Sequence, residues 1–211
     1  MKIYNLFYIF SLSLVFALLF GCGPKSITTD DQYLKETSKE WIPFAGNETV
    51  IFNYDTSKMV FTGQGLNSYF ENVLYMTDQS GFFVVEKDYS ANLERELLIF
   101  ESPSTSYVIK YYLETCKGDV GEWDIFKVIM ADGDFYKNEI KIVVYQTDSY
   151  NKGENYKYKN KITLNSIQFD SVYYWKQENR PFEIYYTKKQ GIVAFKLSSQ
   201  EIWTLSQDTL Q

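Results

Sequence analysis

The apolar residues of this chain come in short runs broken by turn chemistry, and that spacing constrains the fold more than any other feature. Runs rich in β-branched and aromatic residues, bounded by Gly, Asn, Asp and Ser, favour strands. Candidate strands are Glu48–Tyr54, Lys58–Thr62, Tyr69–Met76, Gly81–Glu86, Leu93–Glu101, Ser106–Glu114, Trp123–Ala131, Glu139–Thr147, Tyr156–Leu164, Phe169–Lys176, Phe182–Thr187, Ile192–Leu197 and Ile202–Leu205. Their spacing is near the roughly 8–12 residues of an all-β sandwich or barrel. The expected class is all-β: an antiparallel curved sheet, half-barrel or sandwich of about 11–13 short strands. Only Asp31–Glu40 reads as a helix, which Pro43 disfavours continuing.

Finer patterns place individual residues. Asp55-Thr56-Ser57 predicts a hairpin turn through local side-chain hydrogen bonds. Gly63-Gln64-Gly65 is too short for a dinucleotide fingerprint and reads as a turn. Leu97-Leu98-Ile99-Phe100 is apolar on both faces, as in a buried strand. In Tyr156–Lys161 the residue types alternate, so Lys157, Lys159 and Lys161 point one way and guard an edge strand against association. The segment 182–205 predicts a three-strand meander.

Leu6 to Phe20 carries no charge and follows Met1-Lys2. Its length matches the upper edge of the roughly 7–15 residues of a signal h-region and falls short of the about 20 of a spanning helix. The ending Leu19-Phe20-Gly21-Cys22 resembles the bacterial lipobox: an aliphatic residue, a loosely specified one, a small one, then cysteine. The resemblance implies cleavage between Gly21 and Cys22 and lipidation of the Cys22 thiolate with palmitate-class chains, which hold a protein on a membrane without an apolar surface. The expected division is a signal peptide at 1–21, an acylated tether with the short helix at 22–40, and a single antiparallel β-rich domain at 41–211. The expected location is the cell envelope, on the outer membrane, with its periplasmic or surface face left open. Cys22 consumed, Cys116 has no internal partner, and it should sit half-buried at a strand end.

The run Tyr185-Tyr186-Thr187-Lys188, with Gly191–Lys196 and Glu201–Leu205, is similar to the ending of uncharacterised lipoproteins of Bacteroidota-type bacteria. That similarity implies no activity. Asp170-Ser171-Val172 and Asp208-Thr209-Leu210 resemble the acceptor pattern of an O-glycosylation system of such bacteria, and Thr209, near the terminus, is the candidate.

The chain holds no His, which removes the usual general base and the commonest zinc ligand. Its net charge of −6 argues against nucleic acid or anionic membrane surfaces as partners. Carboxylate chemistry remains: Glu122 and Asp124 would share a strand face, as a glycosidase pair or as a solvated strand start. Asp132-Gly133-Asp134 offers oxygen ligands but reads first as a hairpin turn. Tyr111-Tyr112 and Tyr173-Tyr174-Trp175 would stack on sugars if exposed together, and core packing is favoured. No catalytic residue, cofactor or metal is assigned. The leading expectation is a lipid-anchored, non-catalytic binding or structural module for a glycan or an envelope protein. The alternatives are a half-barrel carrier of an apolar ligand, by analogy with lipoprotein-sorting proteins of the LolA and LolB kind, and a carboxylate enzyme acting on glycans.

Overall fold

Alternating side chains give each strand a face to bury, and cross-strand pairing then assembles the strands. The computed structural model describes residues 25–78, 87–118, 121–133, 136–147, 153–178 and 181–206. Its elements are β1 (Lys25–Thr28), α1 (Glu36–Lys39), β2 (Thr49–Tyr54), β3 (Ser57–Asp78), β4 (Lys87–Glu101), β5 (Tyr107–Gly118), β6 (Gly121–Asp132), β7 (Tyr136–Gln146), β8 (Lys157–Leu164), β9 (Ile167–Lys176), β10 (Glu183–Thr187), β11 (Gly191–Lys196) and β12 (Ile202–Leu205). Strands follow the order β7-β6-β5-β4-β3-β2-β12-β11-β10-β9-β8, with β1 pairing β4 outside that path. The all-β expectation holds, with α1 as the short helix. The meander is β10-β11-β12.

The chain divides into two compact units. The first, Met1–Asp31 with Asn72–Asn92, is described over 25–31, 72–78 and 87–92. In it β1 runs parallel to β4, with Ile27 opposite Tyr89 and Thr28 opposite Ser90. The Thr29 N–H and hydroxyl both donate to the Ser90 carbonyl, at 2.8 and 3.2 Å. A polar tether was expected here. The edge of β4 supplies backbone partners, so even a short polar segment gains a ladder.

The second unit is Gln32–Glu71 with Leu93–Gln211. Within it the sheet curls strongly into a half-barrel, bringing β7 back toward β9 and β10. The inner face is filled. Phe52, Phe61, Leu98, Phe100, Phe126, Ile184, Tyr186 and Phe195 are fully buried in one cluster. The segment after Gln32 drops Leu34 and Ile42 into that cluster and packs Trp41 and Phe44 against it. Trp41 meets Phe126 at 5.6 Å and Tyr173 at 5.2 Å, and Phe44 meets Phe100 at 5.1 Å. Burying each such side chain contributes about 1.5–3 kcal/mol.

Local expectations are corrected in two places. The helix is much shorter than Asp31–Glu40, because sheet carboxylates capture the backbone before it: Leu34 N–H donates to Glu94 at 2.9 Å and Lys35 N–H to Asp124 at 3.0 Å. The expected strands at 58–62 and 69–76 are one continuous β3, so Gly63-Gln64-Gly65 lies inside a strand and not in a turn. The glycines permit close backbone approach: a Cβ on Gly63 would stand 2.2 Å from the Gly46 carbonyl oxygen. The expected strand Gly81–Glu86 lies outside the described residues.

The two ends of the strand order are protected differently. At β7, Glu154 and Asn155 act as a surrogate partner: Asn155 Oδ1 accepts from Lys141 N–H at 2.6 Å and Glu154 Oε1 from Val143 N–H at 3.1 Å. At β8, Lys157, Lys159 and Lys161 are all exposed.

Candidate functional site

The residues singled out for chemistry mostly turn out to hold structure. Asp124 is 1% exposed, and its carboxylate accepts the Lys35 N–H and the Ser38 hydroxyl, fastening α1 to β6. Glu122 is half-buried at the start of β6, where its backbone pairs with Thr147. Asp132 accepts from the Ser106 hydroxyl and leads into a turn with Gly133 at φ +54°. No metal-holding group of acidic or Cys residues occurs among the described residues. Tyr111 and Tyr173 join the inner core, whereas Tyr112 and Tyr174 face the opposite side. Cys116 is half-buried near the end of β5, and burial pushes its thiol up to about 12. Ser171 is exposed within β9. Gly21, Cys22 and Thr209 lie outside the described residues.

A polar network on β3–β6 pairs its charges internally. Glu114 accepts from Lys127 at 2.5 Å and from Arg95, whose Nε also reaches Glu71 at 2.6 Å. Tyr69 and Tyr112 share a hydroxyl contact of 2.9 Å, which helps push the Tyr69 phenol up to about 12. Every charge there has its opposite, and the network reads as a clamp between strands.

The concavity lies elsewhere. An open groove of about 700 Å³ sits where β8, β9, β10 and β11 end together, lined among others by Tyr156, Lys157, Trp175, Lys176, Gln177 and Glu183. Register builds it. Glu183 stands opposite Lys176 on one side and Lys196 on the other, while Tyr174 stands opposite both Lys157 and Tyr185. The Glu183 carboxylate accepts the Tyr185 hydroxyl and lies 3.1 Å from Lys196 and 3.4 Å from Lys176. Burial alone would raise this carboxyl, but the hydrogen bonds from Tyr185 and the two lysines outweigh it and hold it below the ordinary range. The same bond, after burial, pushes the Tyr185 phenol up. A carboxylate engaged by three donors in this way is an anchor for lysines.

The groove combines half-buried ring surface from Tyr156 and Trp175, amides from Asn155 and Gln177, and ammonium groups. That is the equipment for a polar ligand with an apolar face. A second concavity of about 170 Å³, lined by Tyr107, Asn138, Phe182 and Leu197 among others, is too small for an acyl chain. The sequence reading missed Glu183 and its lysines, because 20 residues separate Lys176 from Lys196 and only register brings them together. No helix of the described residues is long and apolar enough to cross a membrane. Comparison with protein-family profiles, curated proteins and solved structures returned no match.

Proposed function

We propose that this chain is a lipid-anchored envelope protein acting as a non-catalytic binding module, held through acyl chains on Cys22 and taking a glycan in the groove at the ends of β8–β11. The observation that carries the reading is the position of the free concavity: the inner face of the curl is packed with aromatic side chains, while the open groove has rings, amides and charges at its rim. Rings take the apolar face of a sugar and amides take its hydroxyls. The carrier alternative asks for an apolar interior of several hundred Å³, and the aromatic packing around Trp41 and Phe44 weighs against it. The enzyme alternative loses support because Asp124 is engaged by Lys35 and Ser38.

A glycan array probed with the full acylated chain in detergent tests the binding claim. Retention of oligosaccharides that weakens on Tyr156→Ala or Gln177→Ala supports it, and a blank array sinks it. Anchoring has its own test. Cys22→Ser should lose acyl labelling and membrane fractionation, and a variant still on the membrane would mean that the apolar segment 6–20 is an uncleaved helix.

A further inference from the structure

Lysines gather at this end of the sheet. Lys157, Lys159 and Lys161 alternate along β8, Lys176 ends β9 and Lys196 ends β11. Side chains two apart on a strand point the same way, as do those directly opposed across strands. Lys157 opposes Tyr174, Tyr174 is two residues from Lys176, and Lys176 and Lys196 both oppose Glu183. Lys157, Lys159, Lys176 and Lys196 therefore project from the Glu183 side, whereas Lys161 lies beyond the break in alternation at Ser171, where φ is +53°. The described acids against them are Glu183 and Glu178 at the groove. In a chain of net charge −6, this face is a local excess of positive charge.

The lysines of the groove also differ in how firmly they are committed. Lys196 is 20% exposed and bonded to Glu183, which Tyr185 bonds as well. Lys176 is 60% exposed and stands 3.4 Å from the same carboxylate. An exposed ion pair of that length holds weakly. Lys176 can therefore turn toward a ligand while Lys196 and Tyr185 keep Glu183 satisfied. Lys157 is exposed on the same side of the groove and has no ion-pair partner among the described residues.

From this we infer that the groove selects acidic carbohydrate, an oligosaccharide bearing uronic-acid carboxylates, with Lys157 and Lys176 meeting the carboxylate and Tyr174, on the same face of the groove, meeting the sugar ring. The inference rests on the glycan reading above and adds the sign of the ligand's charge. Charge-assisted hydrogen bonds are about twice as strong as neutral ones, so two ammonium groups suffice to discriminate. Glu183 and Lys196 are positioning residues: they fix the end of β9 and leave Lys176 outward.

The test is a tryptophan-fluorescence titration of the full acylated chain in detergent at low salt. The probes are glucuronate, galacturonate and mannuronate oligosaccharides, each paired with its carboxyl-reduced neutral counterpart. The acidic member of at least one pair should bind about tenfold tighter or better. Lys157→Gln with Lys176→Gln should abolish that preference, bringing the acidic member of each pair down to the affinity of its neutral counterpart for the same variant. Equal affinity within every pair would overturn this inference and leave the glycan reading standing. No binding by any probe would overturn both. Equally tight binding of single-stranded DNA would also overturn it, marking the lysines as a general polyanion surface.

Discussion

Ser38 donates its hydroxyl to the Asp124 carboxylate across 2.7 Å, joining two buried side chains that lie 86 residues apart in sequence. This bond, with the Lys35 N–H on the same oxygen, ties the α1 segment to β6. Asp124→Ala leaves a buried hydroxyl and a backbone N–H without their acceptor, each a loss of about 1–3 kcal/mol at most. Urea denaturation should show a clear destabilisation for Asp124→Ala and a smaller one for Ser38→Ala. The double variant should fall short of the sum, since both remove the same bond. Strict additivity would show that the two side chains act independently.

Cys116 should behave as an inert thiol. Burial pushes its ionisation up to about 12 from an ordinary 9.0, with Glu114 adding in the same direction. The thiolate is the reactive form, so its fraction at neutral pH is about a thousandfold below that of a free thiol. Native protein should react with iodoacetamide far more slowly than protein in denaturant, and non-reducing gels should show monomer. Rapid native labelling would show that the end of β5 opens readily.

Glu183 gives stability a definite acid limb. Its carboxyl is held below the ordinary 4.5, against burial, by hydrogen bonds from Tyr185 and the flanking lysines. A group whose folded value is depressed stabilises above its unfolded value and loses that contribution as pH falls through the folded one. Wild type should therefore exceed Glu183→Gln by a constant margin near neutral pH, and the margin should shrink as pH drops below 4.5. Unfolding midpoints measured across that range check it, and a margin that ignores pH would contradict the ionic role.

The fold class, the meander 182–205 and the Asp55-Thr56 hairpin were legible because they follow from local alternation and turn chemistry. Gly63-Gln64-Gly65 misled because a glycine pair signals a turn as readily as a close strand crossing, and only Gly46, brought beside it by pairing, decides between them. Asp124 misled for a similar reason. Sequence shows a carboxylate on a strand but not the Lys35 N–H and the Ser38 hydroxyl that reach it from 89 and 86 residues away. The Lys176–Glu183–Lys196 row stayed hidden because it exists only in the register of β9, β10 and β11.

The two glycines of β3 should respond differently to a methyl group. On Gly63 it would collide with the Gly46 carbonyl at 2.2 Å, whereas on Gly65 it meets open space and only the strain of φ +95°. Overpacking against backbone costs about 1–3 kcal/mol. Gly63→Ala should lower the thermal midpoint more than Gly65→Ala. The reverse order would place the Gly46 carbonyl farther from β3.

The last strand tests whether lysine spacing protects the sheet. Both ends of the strand order need protection, because unpaired N–H and C=O groups template pairing with another copy. At β7 the Glu154 and Asn155 side chains occupy those groups directly, at 2.6–3.1 Å. At β8 the guards are Lys157, Lys159 and Lys161, exposed along the strand. Two copies meeting edge to edge would set like charges side by side. Lys159→Thr with Lys161→Thr keeps β propensity and removes two of the charges, leaving Lys157 in the groove. Size-exclusion chromatography should show concentration-dependent association of this variant, with little change in its unfolding midpoint, and adding Asn155→Ala should strengthen the association from the other edge. If the variant stays monomeric at every concentration, the lysines do not guard the edge, and Lys157 on the Glu183 face is left to ligand binding alone.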